Sequence, residues 1–433
     1  MRNWSGVGGF CWLHNQKNRA FAVDTFKSPW HIERTVSASG SKSSGDDSPA
    51  HLLSLIREHE ATTRADLIRL TGLARSTIAQ RVDWLLSSGL LVEIGEARST
   101  GGRPPTLFGF NGEAGVVLAA DLGATHSRVA VTNLAAEPLV EQTVEWAIDD
   151  GPDAVLTRLE ALFDELLVKA DKDIGDLRGI GIGLPGPVDF VRGMAINPPI
   201  MSGWHEYPVA DRFKGRYSVP VLVDNDVNIM ALGEHFSTYP EVADLVFVKV
   251  GTGIGSGLIL GGRLHRGAQG AAGDIGHVQA AGQETVCRCG NNGCLEAAAG
   301  GAALASALGN GRQLAGSRDV VRLVAEGDES AVRAVRSAGR MIGQVLASMV
   351  NLLNPSVILI GGDMAGAGQQ LLAGIREVVY RRSTTLSTTA LEIATSSLGD
   401  RAGVTGAAAM VIDHILEPGN LEASLAVALA RDG

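Results

Sequence analysis

Cys287, Cys289 and Cys294 fall within eight residues, in the string Cys287-Arg288-Cys289-Gly290-Asn291-Asn292-Gly293-Cys294-Leu295-Glu296, and His277 precedes them in a Gly-Asp-Ile-Gly-His segment. Three thiolates and one imidazole are the donor set of a closed, tetrahedral, structural zinc site, and the intervening glycines let the sulfurs converge. The same string also reads as three reduced, buried thiols. With one ring nitrogen of His277 on zinc, the other must carry a proton, so the metal fixes it as a donor to a ligand oxygen. An ion held this way orders a binding site and leaves catalysis to other groups.

A second group of residues suits nucleic acid. From His51 the residues Leu52, Leu53, Leu55 and Ile56 form an apolar helical stripe, Thr63 caps a second helix through Leu70, and Gly72 ends it. A third helix is expected from Arg75 to about Ser88, burying Ile78, Val82 and Leu85 and turning Arg75, Ser76, Ala79 and Gln80 outward. Leu90 to Ile94 and Thr106 to Phe110 read as strands around the turn Ser99 to Pro105, where Arg98 and Arg103 flank a Gly-Gly pair. Helix, helix, helix, strand, turn, strand is a winged helix-turn-helix. Short polar side chains suit phosphate contacts, Arg and Gln suit base edges in the major groove, and a wing Arg can enter the minor groove. Three short helices can also form a dimerisation bundle, but the polar outward face of the third favours DNA. Ala74 departs from the preferred Ser or Thr cap at a small cost in stability.

The chain of 433 residues, 45% hydrophobic and 19% charged, is long enough for two or three domains with buried cores, which excludes a disordered or collagen-like protein. Four cysteines in this length are no secreted disulfide framework. No run approaches the roughly 18 apolar residues of a membrane span, so a soluble, cytoplasmic protein without a membrane partner is expected. The formal charge of −10 argues against nucleic acid only as an average: residues 111 to 433 carry 24 bases against 37 acids, whereas residues 51 to 110 carry seven Arg against six acids. Residues 1–47 show no sustained period and end in a Ser/Gly/Asp-rich run, a flexible tail and linker with no function assigned. Residues 48–112 make the winged helix-turn-helix. From 113 to 433 the pattern alternates as α/β in two lobes around a cleft, about 113–230 plus the C-terminal helix and about 231–400. The strand-turn-strand unit from Leu245 echoes the one from Val116, a weak internal duplication.

Taken together, the cysteine string, the Gly-Asp-Ile-Gly-His segment, Asn225-Asp226-Val227-Asn228 and the Gly-Gly-Arg-Pro-Pro wing resemble the ROK family of repressors and sugar kinases, over about residues 50 to 420. The resemblance implies the two-lobed, actin-like ATPase (ribonuclease H-like) fold. It implies that Asp226, beside Asn225, is the base toward a sugar hydroxyl in family kinases, although Asp226 also reads as a cap on the helix Val227 to His235. Asp274, His277 and Glu296 match the sugar-hydroxyl ligands. Asp274 stands where kinases usually carry Glu, which shortens the reach, and Glu296 is also an acid favoured at a helix N-terminus. Gly183 to Asp189 resembles the far wall of the sugar pocket and reads equally as a strand-ending turn. For nucleotide, the resemblance implies Asp121, Gly123 and Thr125 in a first phosphate turn, Gly251, Thr252 and Gly253 in a second, and Gly362 on the adenosine side. Ala124 replaces the second glycine of the kinase turn, and His126 stands where kinases often carry Lys or Asn, both against efficient use of ATP.

These residues point to a sugar-responsive transcriptional regulator, in the sense of a repressor. Its partners are operator DNA and a sugar or sugar phosphate, its cofactor is structural zinc, and it assembles as a homodimer or homotetramer. Lobe closure over the sugar would alter the spacing of paired recognition helices. The alternative is an ATP- and Mg²⁺-dependent sugar kinase, with or without the regulatory role, which shares nearly every site residue.

Overall fold

A computed structural model describes residues 48–97, 104–309 and 313–423. The tail 1–47 and both wing arginines, Arg98 and Arg103, lie outside the described residues. Helix α1 (Pro49–Arg57) starts where the Ser48 hydroxyl accepts from the His51 amide, with proline in its first turn. Helix α2 (Arg64–Thr71) opens on a reciprocal cap between Thr63 and Asp66 and stops at Gly72 in the left-handed region. Helix α3 (Arg75–Ser87) follows Ala74 without a side-chain cap. Strands β1 (Leu91–Glu96) and β2 (Thr106–Phe110) pair antiparallel. Leu52, Leu53, Leu67, Ile78, Val82, Leu85 and Phe108 are almost fully buried between these elements.

The rest of the chain builds two sheets. Strands β3 (Val116–Leu122), β4 (Ser127–Asn133) and β5 (Pro138–Val144) form a meander; helix α4 (Pro152–Lys169), strand β6 (Leu177–Leu184), a short hairpin β7 (Val188–Asp189) and β8 (Met194–Ala195), helix α5 (Val209–Lys214) and strand β9 (Val221–Asn225) follow. Helix α6 (Asp226–Ser237) then leads to β10 (Leu245–Val250), β11 (Ile254–Leu260) and β12 (Arg263–Leu264). Helices α7 (Leu295–Ala299), α8 (Gly301–Leu308), α9 (Ser317–Ala325) and α10 (Glu329–Leu353) precede β13 (Val357–Gly361). Helices α11 (Gln369–Arg382) and α12 (Thr385–Thr388), strand β14 (Glu392–Thr395) and helix α13 (Ala402–Leu416) complete the order.

The first sheet runs β5-β4-β3-β6-β9 and the second β12-β11-β10-β13-β14. In both, the first strand in the chain pairs antiparallel with the second and parallel with the fourth, and the fourth pairs parallel with the fifth. The faint echo in the sequence is therefore a repeated topology. Helix α13 packs on β3 and β6 of the first sheet, α6 packs on β10 and β11 of the second, and the two helices lie against each other. Their contact is close because both carry glycine there: a Cβ on Gly406 would meet the Ile229 carbonyl oxygen at 1.6 Å, and one on Gly233 would meet that of Ala402 at 2.1 Å. Leu90, Phe110 and Leu416 pack against both the winged-helix core and the α13 core, so apolar packing is continuous from one to the other.

Candidate functional site

Parallel strands bring their C-terminal ends to one side of a sheet, where α/β proteins bind ligands. Here β3 ends near Asp121, β9 at Asn225, β10 beside the turn Gly251 to Gly253, and β13 at Gly361-Gly362. Residues from all four ends line one cleft, together with Asp274, His277 and Glu296. Asn225, Asp226, Asp274, His277 and Glu296, with Asp121, Gly123, Thr125, Gly251, Thr252, Gly253 and Gly362, are all in the same cavity wall, and of the loop Gly183 to Asp189 only Pro185, Gly186 and Pro187 join them.

On the sugar side, the helix-capping role belongs to Asn225 rather than Asp226. The Asn225 Oδ1 accepts from the Val227 amide at 2.9 Å and the Asn228 amide at 3.3 Å, and its Nδ2 donates to the Gly186 carbonyl at 2.8 Å. One amide hydrogen is left for a ligand, and the loop after β6 is tied to α6. Asp226, the first residue of α6, is thereby released from capping and lies in the cleft wall with 6% of its side chain exposed. Glu296, near the start of α7, accepts from the Ile254 amide at 3.2 Å, and a Cβ on Gly253 would meet its Oε2 at 2.0 Å. Glycine at 253 therefore makes room for the acid, a role distinct from approach to phosphate.

His277 joins the sugar side to the cysteines. Its Nδ1 is 3.7 Å from the Cys287 sulfur, and its Nε2 is 4.0 Å from an Asp274 carboxylate oxygen. The Cys289 and Cys294 sulfurs are 3.6 Å apart, and the four donor atoms lie within 4.8 Å of one another. Bond lengths of about 2.0–2.3 Å to a tetrahedral zinc put donor–donor edges at roughly 3.5–3.8 Å. The donor set thus has the chemistry and spacing to hold a metal ion. Metal on Nδ1 would leave Nε2 protonated and facing Asp274. Cys294 also immediately precedes α7, which carries Glu296, so the cluster adjoins both His277 and that acid.

The wall of the cleft beside the glycine turns holds residues the sequence motifs did not single out. Lys249, near the end of β10, donates from Nζ to Asp226 Oδ2 at 2.5 Å. Burial works against its charge, but Asp226 and Asp121 outweigh that and raise its pKa above the ordinary lysine value. Asp121 has a buried Oδ1 with no partner, and burial pushes its carboxyl up to about 6 even though Lys249 works the other way. Asp363 accepts from the Ser317 hydroxyl at 2.7 Å and from Arg318 Nε at 3.3 Å. Although burial pushes its pKa up, these partners and His126 hold it below the usual range. His126 itself is lowered, first by burial and then by Arg318. A lone charge in the otherwise apolar strand Leu-Val-Phe-Val-Lys-Val, one residue before a glycine turn, was a readable signal for Lys249. Ser317 and Arg318 offered none, because α9 is far along the chain from β13.

On the winged helix, Arg75, Ser76 and Gln80 are exposed along α3, while Ala79 is only partly so. Sequence reasoning passed over Arg57, at the end of α1. It pairs with Asp413 of α13 at 3.1 Å, and its guanidinium lies 6.0 Å from the ring centroid of Phe236, near the end of α6.

The model of the ROK family matches residues 117–414. A xylose repressor of Caldicellulosiruptor bescii is 32% identical over 381 residues, covering 84% of this chain and 95% of the repressor. A glucokinase of Halalkalibacterium halodurans is 30% identical over 319 residues, covering 69% of this chain and 96% of the kinase. The crystal structure of a ROK family transcriptional regulator, a homologue of the E. coli MLC protein, superposes with a TM-score of 0.75 at 26% identity, covering 88% of this chain and 98% of that one.

Proposed function

This chain belongs to the ROK family, and from that premise we propose that it is a sugar-responsive transcriptional repressor whose winged helix binds an operator and whose cleft binds the effector sugar. The match to the xylose repressor takes in 84% of the chain against 69% for the glucokinase, and the extra share is about the size of the winged helix. Arg75, Ser76 and Gln80 supply the contacts to DNA, joined by the wing residues Arg98 and Arg103. Asn225, Asp226, Asp274, His277 and Glu296 hold the sugar hydroxyls, with acceptors and donors converging on groups stripped of water. Zinc on His277, Cys287, Cys289 and Cys294 supplies rigidity, fixing the His277 tautomer and the start of α7.

One observation carries the link between the two functions. Helix α6 has Asp226 in the cleft at its first residue and Phe236 beneath Arg57 of the winged helix at its far end. Twelve residues at about 1.5 Å each make a rod of about 18 Å, and α13, packed along it, holds the other side of Arg57 through Asp413. A sugar that pulls on Asp226 therefore acts on an element that touches the DNA-binding module directly. Because paired recognition helices must sit about one DNA turn apart, a small displacement of α6 and α13 loosens operator binding.

Operator gel shifts over a panel of sugars that includes xylose, glucose and N-acetylglucosamine, run beside a coupled assay for sugar-dependent ADP release, test this reading. One sugar should lower operator affinity while ADP release stays at background. Kinase turnover with no specific DNA shifted would replace the repressor with the sugar kinase.

A further inference from the structure

Phosphoryl transfer in this cleft would need a divalent metal between the nucleotide phosphates and the carboxylates below them. The residues present do not fit one. Lys249 reaches into that space from β10, its ammonium donating to Asp226 Oδ2 at 2.5 Å. The other charges acting on it are those of Asp121 at the end of β3 and Asp363 after β13, so carboxylates from three elements surround one cation. Two of the three have other cations close by: Asp363 is paired with Arg318, while Asp121 feels Arg128, which itself pairs with Glu141 and Asp400. The lysine stem is built in as well, because a Cβ on Gly362 would meet its Cγ at 3.1 Å. The adenosine-side turn thus flanks a lysine stem.

We propose that Lys249 is a resident counter-ion standing where a kinase would recruit a divalent metal, so that the cleft reads sugar hydroxyls with no need of a divalent ion at the glycine turns or of nucleotide. The assignment deepens the sugar-receptor reading and rests on it. Two carboxylates facing each other in a buried site need a positive charge between them. A kinase brings that charge with its nucleotide, whereas here it is covalently part of the chain, so the carboxylates are partly compensated before any ligand arrives. A divalent ion entering beside the ammonium would meet repulsion from it. Oδ2 of Asp226 is already engaged by an ammonium hydrogen, which leaves Oδ1 to accept from the sugar.

The test uses the full-length, zinc-loaded protein and Mn²⁺ as the probe, with uptake followed by electron paramagnetic resonance. The parent protein should take up no Mn²⁺ below about 1 mM at this cleft. Lys249→Ala should bind it at least about tenfold more tightly, and Lys249→Ala with Asp121→Asn should lose the gain. Lys249→Arg, which keeps the charge, should remain blind to Mn²⁺. Uptake by the parent that Asp121→Asn abolishes, or no gain in Lys249→Ala, overturns the assignment, and the parent measurement decides even if a variant fails to fold. The operator response to sugar is read separately in magnesium-free buffer, so a sugar that never shifts the operator sinks the repressor reading while the Mn²⁺ result stands on its own.

Discussion

Asp121 is the carboxylate whose surroundings suit its charge least, and its titration should be visible in the stability of the whole protein. Burial lifts its pKa from 3.8 to about 6. A carboxyl raised in the folded state favours folding fully below the unfolded value and loses that contribution as pH rises through about 6. Asp121→Asn imitates the protonated form, so urea unfolding should find it more stable than the parent at pH 8, by up to about 3 kcal/mol, with the gap narrowing toward pH 5. At the Cys/His cluster, Cys289→Ser should weaken sugar binding at least about tenfold by calorimetry and lower the melting temperature, because an ion held there would set both His277 and Glu296. For DNA, Arg75→Ala should cost about 1–3 kcal/mol of operator affinity in fluorescence anisotropy while sugar affinity stays unchanged. The chemistry of these residues was legible where it came as a contiguous string, as with the cysteines and Asn225-Asp226. It was illegible where the chain brings partners together from far apart, as with Lys249 to Asp226 and Ser317 to Asp363.

At the scale of elements, the proposed coupling rests on the crossing of α6 and α13. Gly406 admits no side chain without separating the helices, so Gly406→Val should destabilise by about 1–3 kcal/mol in urea and disturb the sugar response with it. Arg57→Ala removes one partly exposed ion pair and a ring contact, worth about 1 kcal/mol or less to stability. It should leave sugar and operator affinities near those of the parent when each is measured alone, yet shrink the factor by which sugar weakens the operator. The elements themselves were readable from periodicity: α3 and β2 fall at the ends their apolar patterns mark, and the repeated sheet order was foreshadowed by two strand-turn-strand units. Arg57 escaped notice because a basic residue in the last turn of a helix is what the helix dipole favours anyway.

As a whole molecule, the chain separates its charges by task, with the acids concentrated after residue 110 and arginines placed among near-equal acids before it. Among the described residues no helix is long and apolar enough to cross a membrane. The two sheets share one topology and enclose one cleft, and a single helix leads from that cleft to the DNA-binding module. Such coupling must be reciprocal: if sugar weakens operator binding by some factor, operator must weaken sugar binding by the same factor. The most direct test is therefore the sugar dissociation constant, measured by calorimetry on the free protein and again on the protein saturated with operator. Sugar should bind the complex more weakly, by at least about fivefold and by the factor seen in the operator titration; equal constants in the two titrations would rule the coupling out.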